Sequence, residues 1–527
     1  MGIKRWVADA DNSITNAFEP NLVTRGTGSN MGAADSLEVF MLYGQASASS
    51  TNSSLGLQAG NTRELSRILI KFPTTEISAS RTSGSIPESG SVSFHLRMFN
   101  AEHPFTLPEN YELVVVPISA SWEEGTGLDM DNYTDLTYNE SGSNWLRRGN
   151  TSSFAGVGPD VGTWQAGGTY NSASGDFNYT ASFAKGYEDL DVDITGLVEH
   201  WFSGAWGGLP GEGYTNYGVV VKLIQSLESG SISYYTKKFF ARSTEFFFKK
   251  PVIEARWDSR TEDDRGNMFL SSALVPAVDN LNSLFLYNYV NGRLVDIPTL
   301  GAENKIYVSL YSGTTAPAGH ALHLPVGGGV TAAGHTNITG NRVSTGVYSA
   351  SFAVTGGHSL TVGDTLTTIF DVWHTGTSQA IRYLTSSFEI KQRIAHTEAP
   401  TFEYITNVTN LRAEYSRKDT ARFRFFVREK NWNPNIYDVA TSTTPNKSIV
   451  SASYRISRTA DDLTVISYGT GSKYSTYLSH DLSGNYFDLD INLLESDYSY
   501  KINVSFYNPS IGSWVEQPQE FKFRVVE

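Results

Sequence analysis

Cysteine is absent from the 527 residues of this chain. Large domains with adequate hydrophobic cores need no disulfides, so the absence favours, without requiring, folding in a reducing cytoplasm. The first residues, Met1–Trp6, lead directly into polar sequence and lack the apolar stretch of about 7–15 residues that a signal peptide contains. No apolar run approaches the roughly 20 residues that cross a bilayer. We therefore expect a protein that is made in a cytoplasm and does not insert into a membrane.

Charged residues are also scarce, at 18% of the chain, and acidic residues outnumber basic ones to give a net charge of −14. Nucleic-acid binding needs a basic face, and no long run of Lys and Arg supplies one, so we expect no nucleic-acid partner. The simplest interpretation of the acidity is solubility. A second interpretation is that the acidic residues help to bind cations.

The abundant residues favour β-structure. Hydrophobic residues make up 40% of the chain and aromatic residues 13%, which is enough to form true cores. Glycine, serine, threonine and asparagine are plentiful, and this mixture suits short strands and tight turns. A chain of this length is too long to fold around a single hydrophobic core. We predict an all-β protein of three tandem β-sandwiches, without the internal repeats of a solenoid or propeller.

The first sandwich is predicted at residues 31–259. Arg67–Phe72 is a short, nearly continuous apolar run, as expected of a buried strand. Asp189–Phe202 is the one helix predicted in this region, and the glycine-rich stretch Ser141–Gly175 is predicted to form long surface loops. The polar residues 1–30 are predicted to form an N-terminal arm that becomes ordered only against a partner.

Two further sandwiches are predicted at residues 266–393 and 400–527, after a charged stretch, Arg260–Arg265, that we interpret as a solvated hinge. Asn291-Gly292 between two apolar runs is a strong hairpin signal. In the last sandwich, a leucine precedes Tyr500 by six residues and alternating apolar positions follow it. This pattern predicts the tyrosine corner of an immunoglobulin-like or fibronectin type III-like domain.

Several short motifs recur in one order through the first half of the chain. They are Ser53 and Leu55 before the strand Arg67–Phe72; Ser121-Trp-Glu-Glu-Gly-Thr-Gly127; a downstream tryptophan, Trp145 or Trp164; Val192-Asp-Ile-Thr-Gly-Leu-Val-Glu-His-Trp201; Asn216-Tyr-Gly218; Phe239–Glu245; and Lys250–Glu254. In this order the motifs resemble the DNRLRE-type domain, a jelly-roll module related to carbohydrate-binding domains of extracellular bacterial proteins. The resemblance implies that the first sandwich is a larger jelly roll, but function transfers poorly across such modules.

Three further segments extend the likeness to marine tailed bacteriophages. Taken together with the motifs above, residues 132–135, 237–242 and 253–258 are similar to segments of structural proteins in their virions. The resemblance implies a non-enzymatic virion component in the neck, tail, baseplate, fibre or capsid surface. Its partners would be other virion proteins and copies of itself, as a homo-oligomer made in the host cytoplasm.

Two sets of residues are candidates for ligand sites. Asp129, Asp131 and Asp135 lie within seven residues and could begin an oxygen shell for calcium, which Glu123, Glu124 and Asp160 could complete. The simpler interpretation is an acidic surface loop without metal. For a glycan, the candidates are the loop tryptophan Trp206 with Tyr214 and Asn216, because sugars stack on exposed aromatic rings.

Other candidate residues have simpler interpretations. Trp122 and Trp201 lie in motifs that favour core positions. His320 and His323 have a zinc-like spacing, but their glycine and proline neighbours argue against a helix and no third ligand is evident.

No nucleophile elbow, phosphate loop, zinc-protease motif or kinase motif is present. We therefore expect no enzymatic activity. A carbohydrate-binding adhesin that recognises a host surface glycan is the alternative function, and a polysaccharide depolymerase is the less favoured third.

Overall fold

The computed structural model describes residues 2–18, 25–43, 63–103, 107–128, 142–149, 164–170, 177–203, 215–266, 268–269, 271, 276–298, 300, 305–326, 335–354, 368–376, 378–389, 403–432, 446–469 and 473–527. The fold is all-β. The chain divides into two compact units, Ile3–Trp257 and Asp258–Glu527, which we call the first and second units.

The first unit contains eleven strands and three short helices among its described residues. The strands are β1 Ile3–Val7, β2 Ala10–Thr15, β3 Ser36–Leu42, β4 Glu64–Lys71, β5 Ser93–Met98, β6 Tyr111–Pro117, β7 Tyr179–Phe183, β8 Leu190–Asp193, β9 Val219–Leu223, β10 Tyr234–Phe240 and β11 Val252–Arg256. The helices are α1 Thr74–Thr82, α2 Thr195–Ser203 and α3 Gln225–Glu228, and a 3₁₀ turn spans Phe247–Lys249.

These strands form two antiparallel sheets that pack face to face, the layered architecture of a jelly roll. One sheet has the order β1-β11-β5-β8, and the other has the order β10-β3-β4-β9-β6-β7 with β2 paired to β4. In β5, Phe94, Leu96 and Met98 are buried while the residues between them are partly exposed, so the predicted alternation is confirmed. The inward residues of both sheets form one continuous hydrophobic core.

A second hydrophobic core lies on the opposite face of the larger sheet. Leu69 and Val220 from β4 and β9 pack there with Trp145 and Trp164. Both tryptophans are buried, although they belong to the glycine-rich stretch that the sequence predicts to be surface loop. The described part of this stretch therefore covers the sheet, because apolar residues on a second face of a strand must also be removed from water.

The second unit contains the remaining strands. They are β12 Leu281–Tyr287, β13 Tyr289–Val290, β14 Arg293–Leu294, β15 Ile306–Ser312, β16 Ile338–Ser344, β17 Val347–Ala353, β18 Thr368–Thr375, β19 Ile381–Glu389, β20 Tyr404–Val408, β21 Glu414–Ser416, β22 Thr420–Glu429, β23 Ala452–Arg458, β24 Thr464–Ile466, β25 Ser479–Asp481, β26 Gly484–Asp490, β27 Ser499–Asn508, β28 Ser513–Glu516 and β29 Phe521–Val526. Short 3₁₀ turns span Asp264–Gly266, Ala277–Asn280 and Ile491–Leu493.

Strands β12 to β19 form the middle sandwich. Six of them follow the order β12-β17-β16-β15-β18-β19 around one core. The first residues of β16 pair with β15 and its last residues pair with β17, and Gly340 lies where the pairing changes. A Cβ at Gly340 would approach Cγ2 of the buried Ile306 to 2.8 Å, so a larger residue at this crossing would force the Ile306 side chain to shift. The Asn291-Gly292 hairpin is confirmed: it joins β13 to β14 with positive φ at both residues.

Strands β20 to β29 form an immunoglobulin-like sandwich. One sheet has the order β20-β22-β26-β25 and the other has the order β21-β29-β27-β23-β24, with β28 paired to β27. The tyrosine corner is confirmed, because the Tyr500 hydroxyl donates to the Glu495 carbonyl at 2.9 Å and accepts from the Glu495 N–H at 3.0 Å. Tyr500 is fully buried at the start of β27.

The N-terminal residues differ from the prediction of an arm. Ile3–Val7 pairs with β11 and Ala10–Thr15 pairs with β4, so this part of residues 1–30 belongs to the sheets. Ile14 is fully buried, and its burial against the second core explains the ordering. The predicted helix also begins later, at Thr195, because Leu190–Asp193 is a strand; the helix Thr74–Thr82 was not predicted.

The charged stretch Arg260–Arg265 is not a solvated hinge. Arg265 is buried and donates to Asp371 of β18 and to Asp263, at 2.6 Å each. The N–H of Asp263 donates to the carbonyl of His480 in β25. The segment therefore binds both sandwiches of the second unit, because buried charges are stable only where partners surround them. We call residues 258–266 the joint segment.

Candidate functional site

Of the three predicted glycan residues, the structure describes only Asn216. Trp206 and Tyr214 lie outside the described residues. The Asn216 side-chain amide donates to the Phe72 carbonyl at 2.8 Å and to the Thr74 hydroxyl at 3.1 Å, and its oxygen accepts from the Gly218 N–H. Asn216 is therefore a structural residue that fixes the entry to β9, and its hydrogen-bonding capacity is used within the protein.

The predicted calcium residues Asp129, Asp131 and Asp135 lie outside the described residues, as does Asp160, so the calcium site stays a prediction. Glu124 is described, and its carboxylate binds Arg242 in a bidentate pair at 2.5 and 2.6 Å. In the described part of the chain, no three His, Asp or Glu side chains are grouped so that they could hold a metal ion.

The Glu124–Arg242 pair adjoins a buried carboxyl group, that of Asp11. One Asp11 oxygen accepts from the Arg242 N–H at 2.6 Å, and the other has no hydrogen-bond partner among the described residues. Burial, together with the negative charge of Glu124, raises the pKa of Asp11 to about 7. Asp11 therefore retains its proton over a pH range in which an exposed aspartate loses it.

The remaining sequence candidates have structural or surface positions. Trp122 packs against the second core and its indole N–H donates to the Tyr217 carbonyl at 2.7 Å, while Trp201 packs against the main core. These positions confirm the prediction of core roles. His320 and His323 are exposed and outside any helix.

A cavity among the described residues lies at the edge of the larger sheet in the first unit. It has a volume of about 390 Å³ and is lined by the start of β6, the end of β7, the turn that follows β7, and the entry to α3. Tyr111 and Phe183 are cross-strand partners whose rings stack at 5.2 Å, so they form one rigid wall. Ile224 and Leu227 add apolar surface. We call this space the Tyr111 cavity.

Two polar atoms of this lining are left without partners. Tyr111 is only 2% exposed, and its hydroxyl meets no hydrogen-bond partner among the described residues. The same is true of the Oε2 atom of Glu188, whose Oε1 accepts from the Lys185 N–H at 2.7 Å. Burial and the nearby Glu188 carboxylate raise the pKa of Tyr111, so the hydroxyl stays a hydrogen-bond donor. Both atoms have almost no accessible surface, so they belong to the wall of the cavity and are not open to a ligand.

Lys237 fixes the turn that carries Glu188. Its buried ammonium group donates to the carbonyls of Gly186 and Glu188 and to the Asn100 side chain, at 2.9, 2.7 and 2.6 Å. Burial lowers the pKa of Lys237 to about 8, although Asp189 and Glu188 act in the opposite direction. Three acceptors use its three N–H bonds, so Lys237 positions the cavity wall and offers no free charge to a ligand.

The second unit carries a partly exposed aromatic group, which we call the Trp514 group. Its members are Arg260, Tyr474, Tyr477, Tyr507 and Trp514. The rings follow one another at 5.2 to 5.7 Å, and the Arg260 guanidinium lies 4.8 and 4.9 Å from two of them. Tyr474 is 42% exposed and Tyr507 is 39% exposed. Aromatic and arginine side chains in this arrangement could bind a protein surface or a sugar.

A serine–histidine contact occurs in the middle sandwich. The Ser309 hydroxyl lies 2.9 Å from Nε2 of His374, and Nδ1 of His374 lies 2.9 Å from the Gly376 carbonyl oxygen. Both side chains are fully buried, and burial lowers the pKa of His374. Because no substrate reaches a fully buried hydroxyl, this pair is a core hydrogen bond and not an accessible nucleophile.

Sequence reasoning missed both the Tyr111 cavity and the Trp514 group. Tyr111 is the first residue of an apolar strand. The apolar pattern of this strand predicts that Tyr111 is buried, but it does not show whether the hydroxyl has a hydrogen-bond partner. The aromatic residues of the Trp514 group come from separate segments: Tyr474, Tyr477, Tyr507 and Trp514. The only signal in the sequence is that aromatic residues are frequent near the turns of these segments.

Among the described residues, no helix combines the length and apolar character needed to span a membrane.

Comparisons with known proteins give no family for this chain. No protein-family model matches it. No curated protein matches it. Among solved structures, it is similar to native alpha-2-macroglobulin of E. coli at 9% identity and to methylamine-reacted alpha-2-macroglobulin of Salmonella at 7% identity, each with a TM-score of 0.15. The alignments cover 98% and 99% of this chain but 28% of each of those chains. Likenesses at this TM-score carry no argument about fold or function.

Proposed function

We propose that this chain is a non-enzymatic structural component of a tailed-phage virion, which assembles with other virion proteins and with copies of itself. The observation that carries the proposal is the Trp514 group. Tryptophan, tyrosine and arginine are the residues that contribute most to binding energy at protein interfaces, and here they are clustered, with Tyr474 and Tyr507 exposed. The phage context rests on the resemblance of the sequence to virion proteins.

The joint segment supports this proposal because it holds Arg260 in place. Arg260 donates to Asp258 and Glu262, and the next residue, Thr261, donates its N–H to the Ser479 hydroxyl of β25 at 3.0 Å. A surface that is ordered before association loses less conformational entropy when it binds. The Trp514 group therefore has both the composition and the order of a docking surface between subunits.

The test is a mass-spectrometric inventory of purified particles, with copy number for each protein. We expect this chain in several copies per particle, and its absence would refute the proposal. A Trp514→Ala variant should fold normally but be lost from particles. Trp432→Ala removes another partly exposed tryptophan of the same unit outside the group, and this control should be retained.

A second candidate function, a carbohydrate-binding adhesin for a host surface glycan, is favoured by the Tyr111 cavity. Its volume of about 390 Å³ lies within the range of sites for small ligands. A glycan array probed with the full chain tests this function, and the absence of binding to any host polysaccharide would count against it.

A further inference from the structure

We propose that Lys237 and Asn100 form an intramolecular isopeptide bond, in which the Nζ atom of Lys237 replaces the side-chain nitrogen of Asn100. The bond ties β10 of the larger sheet to the segment that follows β5 of the smaller sheet. It gives a chain that lacks cysteine a covalent cross-link inside the first unit. The inference goes beyond the proposed function and does not depend on it.

A short antiparallel pairing brings the two side chains together. Asn100 lies opposite Phe239 of β10, and beside it the Phe240 N–H donates to the Phe99 carbonyl. Side chains two residues apart on a strand share a face, so Lys237 lies on the face of Phe239, diagonally across from Asn100. The Nζ atom of Lys237 is 2.6 Å from Oδ1 of Asn100. Because a carbonyl bond is about 1.23 Å long, Nζ lies within about 3.8 Å of Cγ, the atom that it attacks.

The surroundings of Lys237 favour an uncharged product. Lys237 is 1% exposed, and the rings of Phe183 and Phe239 lie 5.0 and 4.9 Å from its Nζ atom. Its three acceptors are two peptide carbonyls and the Asn100 amide, all of them neutral, so the buried ammonium group is costly to keep charged. Because burial lowers the pKa of Lys237 to about 8, about a tenth of the side chain is the neutral, nucleophilic amine at pH 7. An amide bond removes the charge altogether.

The reaction exchanges one amide for another and needs no oxidant or cofactor. The lone pair of the neutral Nζ atom attacks Cγ of Asn100, one Nζ proton passes to Nδ2, and the Cγ–Nδ2 bond breaks to release ammonia. Asn100 is partly exposed, so the ammonia can reach solvent. The proton is carried by the Asp189 carboxylate, which accepts from the Asn100 N–H at 2.8 Å and whose negative charge acts on Lys237.

Mass spectrometry of the purified full chain tests the proposal. We expect the parent chain, counted from its observed first residue, to be lighter than its sequence by one ammonia molecule. A protease digest should contain a branched peptide that joins Asn100 to Lys237. The branched peptide distinguishes this bond from loss of ammonia at the exposed Asn291-Gly292 turn, which leaves a linear peptide.

Variants link the mass deficit to the two side chains. Asn100→Ala has no carbonyl to attack and Lys237→Met has no nucleophile, so both should have the full mass of their sequences and give no branched peptide. Asn100→Asp should form the same bond by releasing water instead of ammonia. Asp189→Asn keeps an acceptor for the Asn100 N–H but removes the charge, and it should lower the cross-linked fraction. Lys238→Arg, at the neighbouring partly exposed lysine, is the matched control and should be cross-linked as the parent chain is.

Two results would overturn the proposal: the parent chain has its full mass and gives no branched peptide, or the deficit and the branched peptide persist in Asn100→Ala. A parental cross-linked fraction in Asp189→Asn would overturn the role of that carboxylate. Asn100 is partly exposed, so Asn100→Ala remains informative even if Lys237→Met does not fold. The particle inventory gives its result whether or not the bond forms, so failure here and failure of the structural role are separate outcomes.

Discussion

The substitution Asp11→Asn should abolish a pH dependence of stability that originates in the first unit. Burial raises the pKa of Asp11 to about 7, whereas an unfolded aspartate titrates near 3.9. Between these values the folded chain keeps a proton that the unfolded chain has released. The stabilising contribution of this group is therefore complete below about pH 4 and is lost as the pH rises through 7.

The size of the effect follows from the two pKa values. One pKa unit corresponds to about 1.36 kcal/mol. Ionisation of Asp11 in the unfolded chain therefore lowers the free energy of unfolding by about 1.5 kcal/mol at pH 5 and by about 4 kcal/mol at pH 8. The loss between these pH values is about 2.5 kcal/mol. Asparagine does not titrate and its side-chain oxygen can still accept from the Arg242 N–H, so Asp11→Asn should escape this loss.

Urea unfolding of the full chain at pH 5 and pH 8, followed by tryptophan fluorescence, measures the difference. Seven of the ten tryptophans lie in Ile3–Trp257, so the signal reports on the first unit. Other titrating groups contribute equally to parent and variant, so the difference between the two chains in the loss of unfolding free energy from pH 5 to pH 8 reports on Asp11 alone. Asp9→Asn, at an exposed carboxyl two residues away, should behave as the parent does. Equal losses in parent and Asp11→Asn would refute a buried, protonated Asp11.

Three further substitutions probe the fold. Arg265→Met leaves the Asp371 carboxylate buried without its cation and should destabilise the second unit by about 3–5 kcal/mol in urea unfolding. Tyr500→Phe removes the corner hydrogen bonds and should cost about 1–2 kcal/mol by the same measurement. Gly218→Ala places a Cβ 2.1 Å from the Ile70 carbonyl at a φ of +88°, so we expect a melting temperature several degrees lower, from a loss of about 1–3 kcal/mol. No measurable change in any of them would contradict the corresponding contact.

Local signals in the sequence predict the parts of the fold that depend on neighbouring residues. The Asn291-Gly292 hairpin and the corner at Tyr500 each depend on interactions within a few residues, so the pattern carries the information. Period-two alternation likewise predicts which side of β5 is buried, because a strand places successive side chains on opposite faces.

Sequence patterns do not predict the burial of a residue when its contacts come from distant parts of the chain. Arg265 appears in a charged run that is typical of a solvated segment, and its burial depends on Asp371, 106 residues away. Trp145 and Trp164 lie in a glycine-rich stretch, yet they are buried because β4 and β9 present apolar residues on a second face. The Tyr111 cavity likewise joins residues from β6, β7 and α3, which no local pattern brings together.

Hydrogen-bond partners show which polar residues the fold itself uses. Asn216 has the residue type expected of a sugar site, but its amide is used by Phe72, Thr74 and Gly218. Tyr111 has the sequence context of a core residue, but its hydroxyl is unused among the described residues. A buried group without a partner reduces stability, so a fold that needed only packing would be served better by phenylalanine at this position. Because this hydroxyl is also buried from solvent, Tyr111→Phe should not lower the free energy of unfolding.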